Sequence, residues 1–264
     1  MTGWAGLRLT VVGCSGSVPG PDSPASSYLV EADGFRVLLD LGSGAFGPLQ
    51  RHVAAHQLDA IVLSHLHPDH CLDLTACLVA LRHGPARRAS RLPVIAPAGA
   101  RERLAAAYEP TAWAPAAGGD KWAEVFEFAV PRDGELGPFT VSFARMNHPV
   151  PTYAVRLSHG GATLVYSGDT AASDELVALA AGADLLLCDA AGAGDEVGAG
   201  DEAAPAGLHL TARQAGEHAA RAGAGRLMVT HVPPWGSRGH AAAEASTAFA
   251  GPVLAAQPGM IITL

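Results

Sequence analysis

Ser64-His65-Leu66-His67-Pro68-Asp69-His70 is the stretch on which the reading of this chain turns. It follows Asp59-Ala60-Ile61-Val62-Leu63, an apolar run that predicts a short strand over 59–64. Side chains two apart in an extended segment point the same way, so His65 and His67 can share one cation. Asp69 and His70 fall beyond the turn at Pro68 and can serve a second. Imidazole with carboxylate is a borderline donor set that suits zinc, with manganese or iron also accommodated. A solvated histidine-rich turn would not gather four ligand-type side chains into six positions at a strand end.

Two cations need further donors, and the sequence offers three at the carboxyl ends of predicted strands. His148 follows 139–146, Asp169 follows 163–167 and His231 follows 227–230. One carboxylate between two cations about 3.5–4 Å apart is a recurring dinuclear arrangement, and Asp169 is the natural bridge. His52, His56, His83, His159, His218 and His240 fall on predicted helices or turns and are assigned no role.

Around these residues the chain alternates between two kinds of pattern. Strands are expected at 7–12, 27–31 and 36–41, the last two joined by the hairpin signal Asp33-Gly34. Helices are expected at 46–56, 72–82 and 99–108, with a strand at 93–96. Residues 124–130 and 139–145 alternate like antiparallel strands, and His159-Gly160-Gly161 turns a further hairpin between 153–157 and 163–167. Strands and helices then alternate again. Ser173 caps a helix over 174–180, and Thr211 with Gln214 forms a capping box opening another. The fold class expected is α/β layered, a single domain over 1–264 with two sheets face to face and helices outside.

Composition narrows the function classes. The 264 residues are 49% hydrophobic and 16% charged. That excludes disorder and a coiled coil. A net charge of −8 is a poor balance for gripping a long nucleic acid, whose affinity comes from Lys and Arg on phosphates. A small anionic substrate fits better. Cys14, Cys71, Cys77 and Cys188 form no C-x-x-C pair and read as reduced thiols of a cytoplasmic protein. Met1 to Thr10 carries no apolar leader, and no run approaches the roughly 20 residues of a membrane helix. Residues 190–207, rich in Ala, Gly and acid, are expected to form a mobile surface loop.

His65-x-His67-x-Asp69-His70, followed by His148, Asp169 and His231, resembles the metallo-β-lactamase superfamily over nearly the whole chain. The resemblance implies a four-layer αβ/βα sandwich with two metals, zinc first, at one edge. It implies that His65, His67 and His148 bind one metal, that Asp69, His70 and His231 bind the other, and that Asp169 bridges. Within the superfamily, Val12-Gly13-Cys14-Ser15-Gly16-Ser17-Val18-Pro19, Asp40-Leu41-Gly42-Ser43-Gly44 and Gly207-Leu208-His209-Leu210-Thr211 resemble the ribonuclease Z-like branch. There the extra histidine, here His209, assists phosphodiester cleavage. True β-lactamases lack it, and they place cysteine where Asp169 stands. Flavin-linked members resemble His-x-Glu-x-Asp, whereas here the second position is His67. From His148 to Asp169 is 21 residues (169 − 148), too few for the long arm that grips tRNA. Gly20-Pro21-Asp22-Ser23-Pro24-Ala25-Ser26, His70-Cys71-Leu72-Asp73-Leu74 and Thr230-His231-Val232-Pro233-Pro234-Trp235 resemble an actinobacterial group of atypical cyclic-nucleotide phosphodiesterases.

The expectation is a phosphodiesterase on a small substrate such as 3′,5′-cyclic AMP, with a hydroxide between the metals attacking phosphorus. His209 would protonate the leaving oxygen, and Asp69 would help orient the hydroxide. Ser15, Gly16 and Ser17 would line the pocket with N–H groups facing an anion. Trp235 would stack on a base and Arg238 would meet a phosphate. Asp73 would orient a ligand histidine or cap the following helix. Alternatives are an acyl hydrolase (thioesterase or lactonase) on the same site, a ribonuclease Z-like endonuclease, and a metal-binding protein without activity. Likeness to the branch also implies a homodimer.

Overall fold

The computed structural model describes residues 6–109, 120–192 and 207–264. In the first half, β1 (Arg8–Gly13), β2 (Ser27–Ala32) and β3 (Phe35–Leu39) precede α1 (Phe46–Leu49) and β4 (Ala60–Val62). Then come α2 (Pro68–Cys71), α3 (Leu74–His83), β5 (Leu92–Ile95), α4 (Ala100–Tyr108), α5 (Lys121–Val125) and β6 (Phe126–Ala129). The second half runs β7 (Gly134–Leu136), β8 (Phe139–Arg145), β9 (Tyr153–His159), β10 (Ala162–Tyr166), α6 (Asp174–Leu179) and β11 (Leu185–Asp189). It closes with α7 (Ala212–Ala222), β12 (Leu227–Thr230), α8 (Arg238–Ser246), β13 (Val253–Ala255) and β14 (Ile261–Thr263).

The strands form two seven-stranded sheets, ordered β14-β1-β2-β3-β4-β5-β6 and β13-β12-β11-β10-β9-β8-β7. Each is antiparallel on one side and parallel where helices cross over. Side chains two apart share a face, and that period sorts the core into three layers. Tyr28, Val30, Val37 and Leu39 meet Leu157, Leu164, Leu185 and Leu187 between the sheets. Leu29, Leu38 and Ile61 turn outward onto Leu74, Leu78 and Leu104. On the far side Leu186, Cys188 and Val229 pack under Leu176, Ala215, Ala219 and Ala245. The small residues of α7 let α8 come close: a Cβ on Gly216 would lie 2.4 Å from the Ala245 carbonyl oxygen. All four cysteines are buried and unbridged. Among the described residues no helix is long and apolar enough to cross a membrane.

Both hairpin turns are as expected, with positive φ at Asp33 and Gly34 and at Gly160 and Gly161. Ser173 accepts from the Leu176 N–H, and Thr211 with Gln214 forms the capping box. Three expectations are corrected. Residues 46–56 are not one helix but α1 and a 3₁₀ turn over Ala55–Gln57. Leu49, Val53, Ala55 and Leu58 are all buried, which no single helical face allows. The helix expected over 72–82 is α3, but it begins only at Leu74, after a break that separates it from α2. The Leu41 N–H donates to the His70 carbonyl at 2.8 Å and the Asp73 N–H to the Leu41 carbonyl at 3.1 Å, stitching the break to the loop after β3. Finally, β6 is not antiparallel to β8. It adds parallel to β5 at the edge of the first sheet, and β8 pairs instead with β9 and the short β7, which the sequence reading missed. Alternation predicts a strand but not its partner; the α4–α5 crossover makes this pair parallel. The expected loop at 190–207 lies mostly outside the described residues.

Candidate metal centre

Asp40, His65, His148, Asp169, Asp189 and His231 all lie at or just beyond the carboxyl ends of β3, β4, β8, β10, β11 and β12. That common edge brings together side chains up to 191 positions apart (231 − 40). His65 Nε2 lies 3.0 Å from His67 Nδ1, and His148 Nε2 lies 3.4 Å from the same Nδ1. Asp169 Oδ2 is 3.5 Å from His65 Nε2. A second group forms where His231 Nε2 lies 3.1 Å from both His70 Nε2 and Asp69 Oδ2. Asp169 Oδ1 is 3.2 Å from His70 Nε2 and 3.5 Å from His231 Nε2. Within each group all candidate donor atoms lie inside 4.8 Å of one another, and Asp169 belongs to both.

These donors fit divalent cations. Ring nitrogens facing each other at 3.0–3.4 Å must share a proton or a cation. Among the described residues Asp169 Oδ1 is buried without a hydrogen bond, a costly state that a cation relieves. The set of imidazole and carboxylate suits a borderline metal.

The two groups differ electrostatically. Burial holds His65 well below the ordinary histidine pKa and lowers His67 and His148. Burial also pulls His70 down, but the carboxylates of Asp169, Asp40 and Asp69 outweigh it and hold it well above that value. His231 is lifted to about 10, as Asp169, Asp189 and Asp69 overcome its burial. Against their own burial, neighbouring histidines drive Asp69 and Asp169 well below the carboxylate range.

A supporting layer fixes the ligand-type side chains. Asp40 Oδ2 lies 2.7 Å from His70 Nδ1 and accepts from Ser64 Oγ and the Tyr166 hydroxyl, each at 2.7 Å. The Ser64 N–H donates to Asp40 Oδ1 at 2.6 Å. His148 Nδ1 donates to the Leu208 carbonyl at 3.1 Å. His209 comes to the centre's flank, its ring centroid 5.2 Å from that of His231 and 5.5 Å from that of His148. Its Nδ1 is 2.8 Å from Asp189 Oδ2, and Nε2 makes no hydrogen bond to the described residues. Burial lowers the His209 pKa, but Asp189 overcomes this and raises it.

The structure thus gathers all seven ligand-type residues singled out in the sequence, with His209 beside them. The remaining candidates are more spread. Ser15 is fully buried and its hydroxyl makes no hydrogen bond among the described residues. Gly16 lies against the His231 backbone, and the Ser17 N–H is 3.4 Å from His231 Nε2. Trp235 is 73% exposed on the Pro233–Gly236 turn that follows His231. Arg238 opens α8 and pairs with no carboxylate among the described residues. Asp73 does not orient a histidine. Its carboxylate accepts from the Phe46 N–H at 2.8 Å and makes no cap to α3. The orienting carboxylates are Asp40 and Asp189, which the sequence reading missed in that role. Asp189 ends an apolar strand, the same positional signal that singled out Asp169, whereas Asp40 lies inside the strand expected over 36–41 and just past the end of the observed β3. No sequence signal pointed to Tyr166. His218 is a core residue, tied to the Gln214 carbonyl and the Ser173 N–H.

A profile of the Beta-lactamase superfamily domain matches residues 35–232. The chain belongs to the beta-lactamase superfamily. A protein of Mycobacterium leprae is 42% identical over 260 residues, covering 96% of this chain and 87% of its own length. The probable metallo-hydrolase YhfI of Bacillus subtilis is 32% identical over 267 residues, covering 97% of this chain and 99% of its own. The crystal structure of YhfI, a metallo-beta-lactamase fold protein, superimposes with a TM-score of 0.83 at 29% identity, over 98% of this chain and 100% of that one. Ribonuclease Z of Mycobacterium bovis is 31% identical over 270 residues, covering 86% of each. The expected superfamily sandwich is therefore the observed fold. Membership and the two donor groups together make the protein a metallo-hydrolase of that superfamily.

Proposed function

We propose that the protein is a dinuclear metal-dependent phosphodiesterase acting on a small substrate such as 3′,5′-cyclic AMP. The observation that carries the reading is His209, beside both donor groups and anchored at Nδ1 by Asp189. In this reading His65, His67 and His148 hold one ion, Asp69, His70 and His231 the other, and Asp169 both. Zinc is the first choice, with manganese or iron accommodated by the same donors. When bound, the ions supply Lewis acidity and a water acidic enough to ionise near neutral pH.

The residues do the rest. Water oxygen becomes bonded to phosphorus, the P–O bond to the leaving alcohol breaks, and that oxygen takes the proton from His209 Nε2. Asp189 keeps Nδ1 protonated and stabilises the imidazolium before transfer. Asp69 helps orient the attacking water. Substrate size is limited by what joins His148 to Asp169: a tight β9–β10 hairpin turned at Gly160-Gly161. No arm for a folded RNA stands there. On this reading Gly16 and Ser17 line the phosphate side of the pocket, with Ser15 packed beneath them. The exposed Trp235 offers a face to a base, and Arg238 offers a cation to a phosphate.

An acyl hydrolase is the second reading, because the same activated water could attack a carbonyl. It gives His209 nothing necessary to do and leaves Asp189 only its contact with His231. Metal-loaded protein should hydrolyse bis-p-nitrophenyl phosphate and 3′,5′-cyclic AMP, with cyclic AMP turnover lost in His209→Ala while both metals stay bound. Turnover of a thioester or nitrocefin without phosphodiester turnover, indifferent to His209, would replace this reading with the second.

A further inference from the structure

Among the described residues four other than glycine have a left-handed φ: Ser17 (62°), Asp33 (50°), Asp40 (56°) and His231 (61°). Asp33 makes the β2–β3 hairpin. The other three surround the donor groups. Backbone strain of this kind persists only where the surroundings over-determine it, and it gathers at working sites.

At Ser17 the strain has a direction. The Gly16 carbonyl accepts from the Val18 N–H at 2.7 Å, closing a three-residue turn with Ser17 at its centre. With a positive φ this is the rare and strained hand of such a turn. The segment carrying His231 holds it in place. The His231 N–H donates to the Cys14 carbonyl at 3.1 Å, and the Gly16 N–H donates to the Val232 carbonyl at 3.2 Å. Gly16 packs so closely that a Cβ there would fall 2.0 Å from the His231 carbonyl oxygen. The result is that the Ser17 N–H aims at His231 Nε2, 3.4 Å away. That nitrogen is the donor atom that faces Asp69, His70 and Asp169. A nitrogen that gives its lone pair to a cation there cannot also accept from Ser17. The amide is then left aimed into the centre without an acceptor.

We propose that the Ser17 N–H is the hydrogen-bond donor to a phosphoryl oxygen of the substrate, at the His231 side of the centre. The inference rests on the phosphodiesterase reading above and assigns it a backbone anion-holding group. A preorganised amide facing an oxygen that gains charge stabilises the transition state more than the bound substrate, so its contribution falls on kcat rather than KM. The Ser17 side chain is exposed and plays no part in this.

The test replaces the Gly16–Ser17 amide by an ester, placing the α-hydroxy analogue of serine at position 17. This removes the N–H and leaves the bond from Val18 to the Gly16 carbonyl. Expected are unchanged metal content, inhibition by orthovanadate weakened at least about tenfold, and kcat on bis-p-nitrophenyl phosphate lowered about 10²–10³-fold. Vanadate inhibition equal to that of the unaltered protein overturns the assignment. Should the ester chain not fold, the Ser17 amide proton of the unaltered, metal-loaded protein decides. A downfield shift on adding inorganic phosphate supports the donor, and an unmoved resonance overturns it. If no phosphodiester is turned over by the unaltered protein, the functional reading fails, while the Ser17 amide resonance on adding inorganic phosphate still decides whether that N–H holds a phosphoryl oxygen.

Discussion

Asp189 Oδ2 lies 2.8 Å from His209 Nδ1, while Oδ1 of the same carboxylate lies 3.4 Å from His231 Nδ1. One buried carboxylate therefore stands behind both the proposed proton donor and a proposed metal ligand. It is itself fixed by the N–H groups of Thr170 at 3.1 Å and Ala191 at 3.0 Å.

The first prediction follows from the sign of that interaction. Asp189 raises the His209 pKa, so the acid form persists to higher pH than in a free histidine. If His209 must be protonated, kcat/KM for cyclic AMP is retained below this raised pKa and falls as the pH climbs through it. Asp189→Asn removes the charge, so the alkaline limb should move to lower pH and the maximum rate drop about 10²–10³-fold. A pH–rate profile checks both. An unmoved alkaline limb would take the proton-donor role away from His209.

His209→Ala should discriminate between leaving groups. An alkoxide leaving from a cyclic nucleotide needs a proton, whereas p-nitrophenolate leaves readily without one. Turnover of cyclic AMP should fall about 10²–10⁴-fold, the usual range for a lost general acid, with a much smaller loss on bis-p-nitrophenyl phosphate. Equal losses on the two substrates, measured with matched metal content, would point to a structural role for the ring.

How much of this was open to sequence reasoning depends on whether a residue's role is local. His65, His67, Asp69 and His70 could be singled out because they crowd one strand end. His148, Asp169 and His231 could be added because each ends an apolar strand. Asp189 satisfies that same rule and was passed over, while Asp40 fell inside the strand expected over 36–41, which ends at Leu39. Tyr166 reads as an ordinary inward-facing strand residue. Its bond to Asp40 crosses between sheets over 126 positions (166 − 40), and nothing local encodes it. The parallel docking of β6 was hidden for a similar reason, because strand alternation says nothing of the partner.

The two donor groups should take up metal with different proton stoichiometry. His65, His67 and His148 are depressed and hence neutral near pH 7, so an ion entering there displaces no proton from them. His70 is held well above the ordinary value and His231 at about 10, so both carry a proton at pH 7 that a metal must displace. One binding event should be nearly independent of pH between about 6 and 8. The other should tighten as pH rises and release protons. Calorimetric titration in buffers of differing ionisation heat reads the release directly. Two events with equal proton release would contradict the asymmetry.

The Asp40-Leu41-Gly42-Ser43-Gly44 turn separates a glycine needed for closeness from one needed for conformation. At Gly42 an added Cβ would lie 1.9 Å from the Asp69 carbonyl oxygen and 2.5 Å from its carbonyl carbon. Neither atom belongs to a flexible side chain, so Gly42→Ala must push the Asp69 backbone away. The second donor group moves with it, since Asp69 Oδ2 faces both His70 and His231. At Gly44 the nearest atom to such a Cβ is 3.6 Å away, but φ is 80°. Gly44→Ala should therefore cost about 1 kcal/mol of stability through backbone strain and leave metal binding intact. Gly42→Ala should lose metal affinity about 10–100-fold at the second group while the first group binds normally. Thermal melts paired with metal titrations separate the two effects. Intact binding at both groups in Gly42→Ala would mean that the turn can yield without moving Asp69.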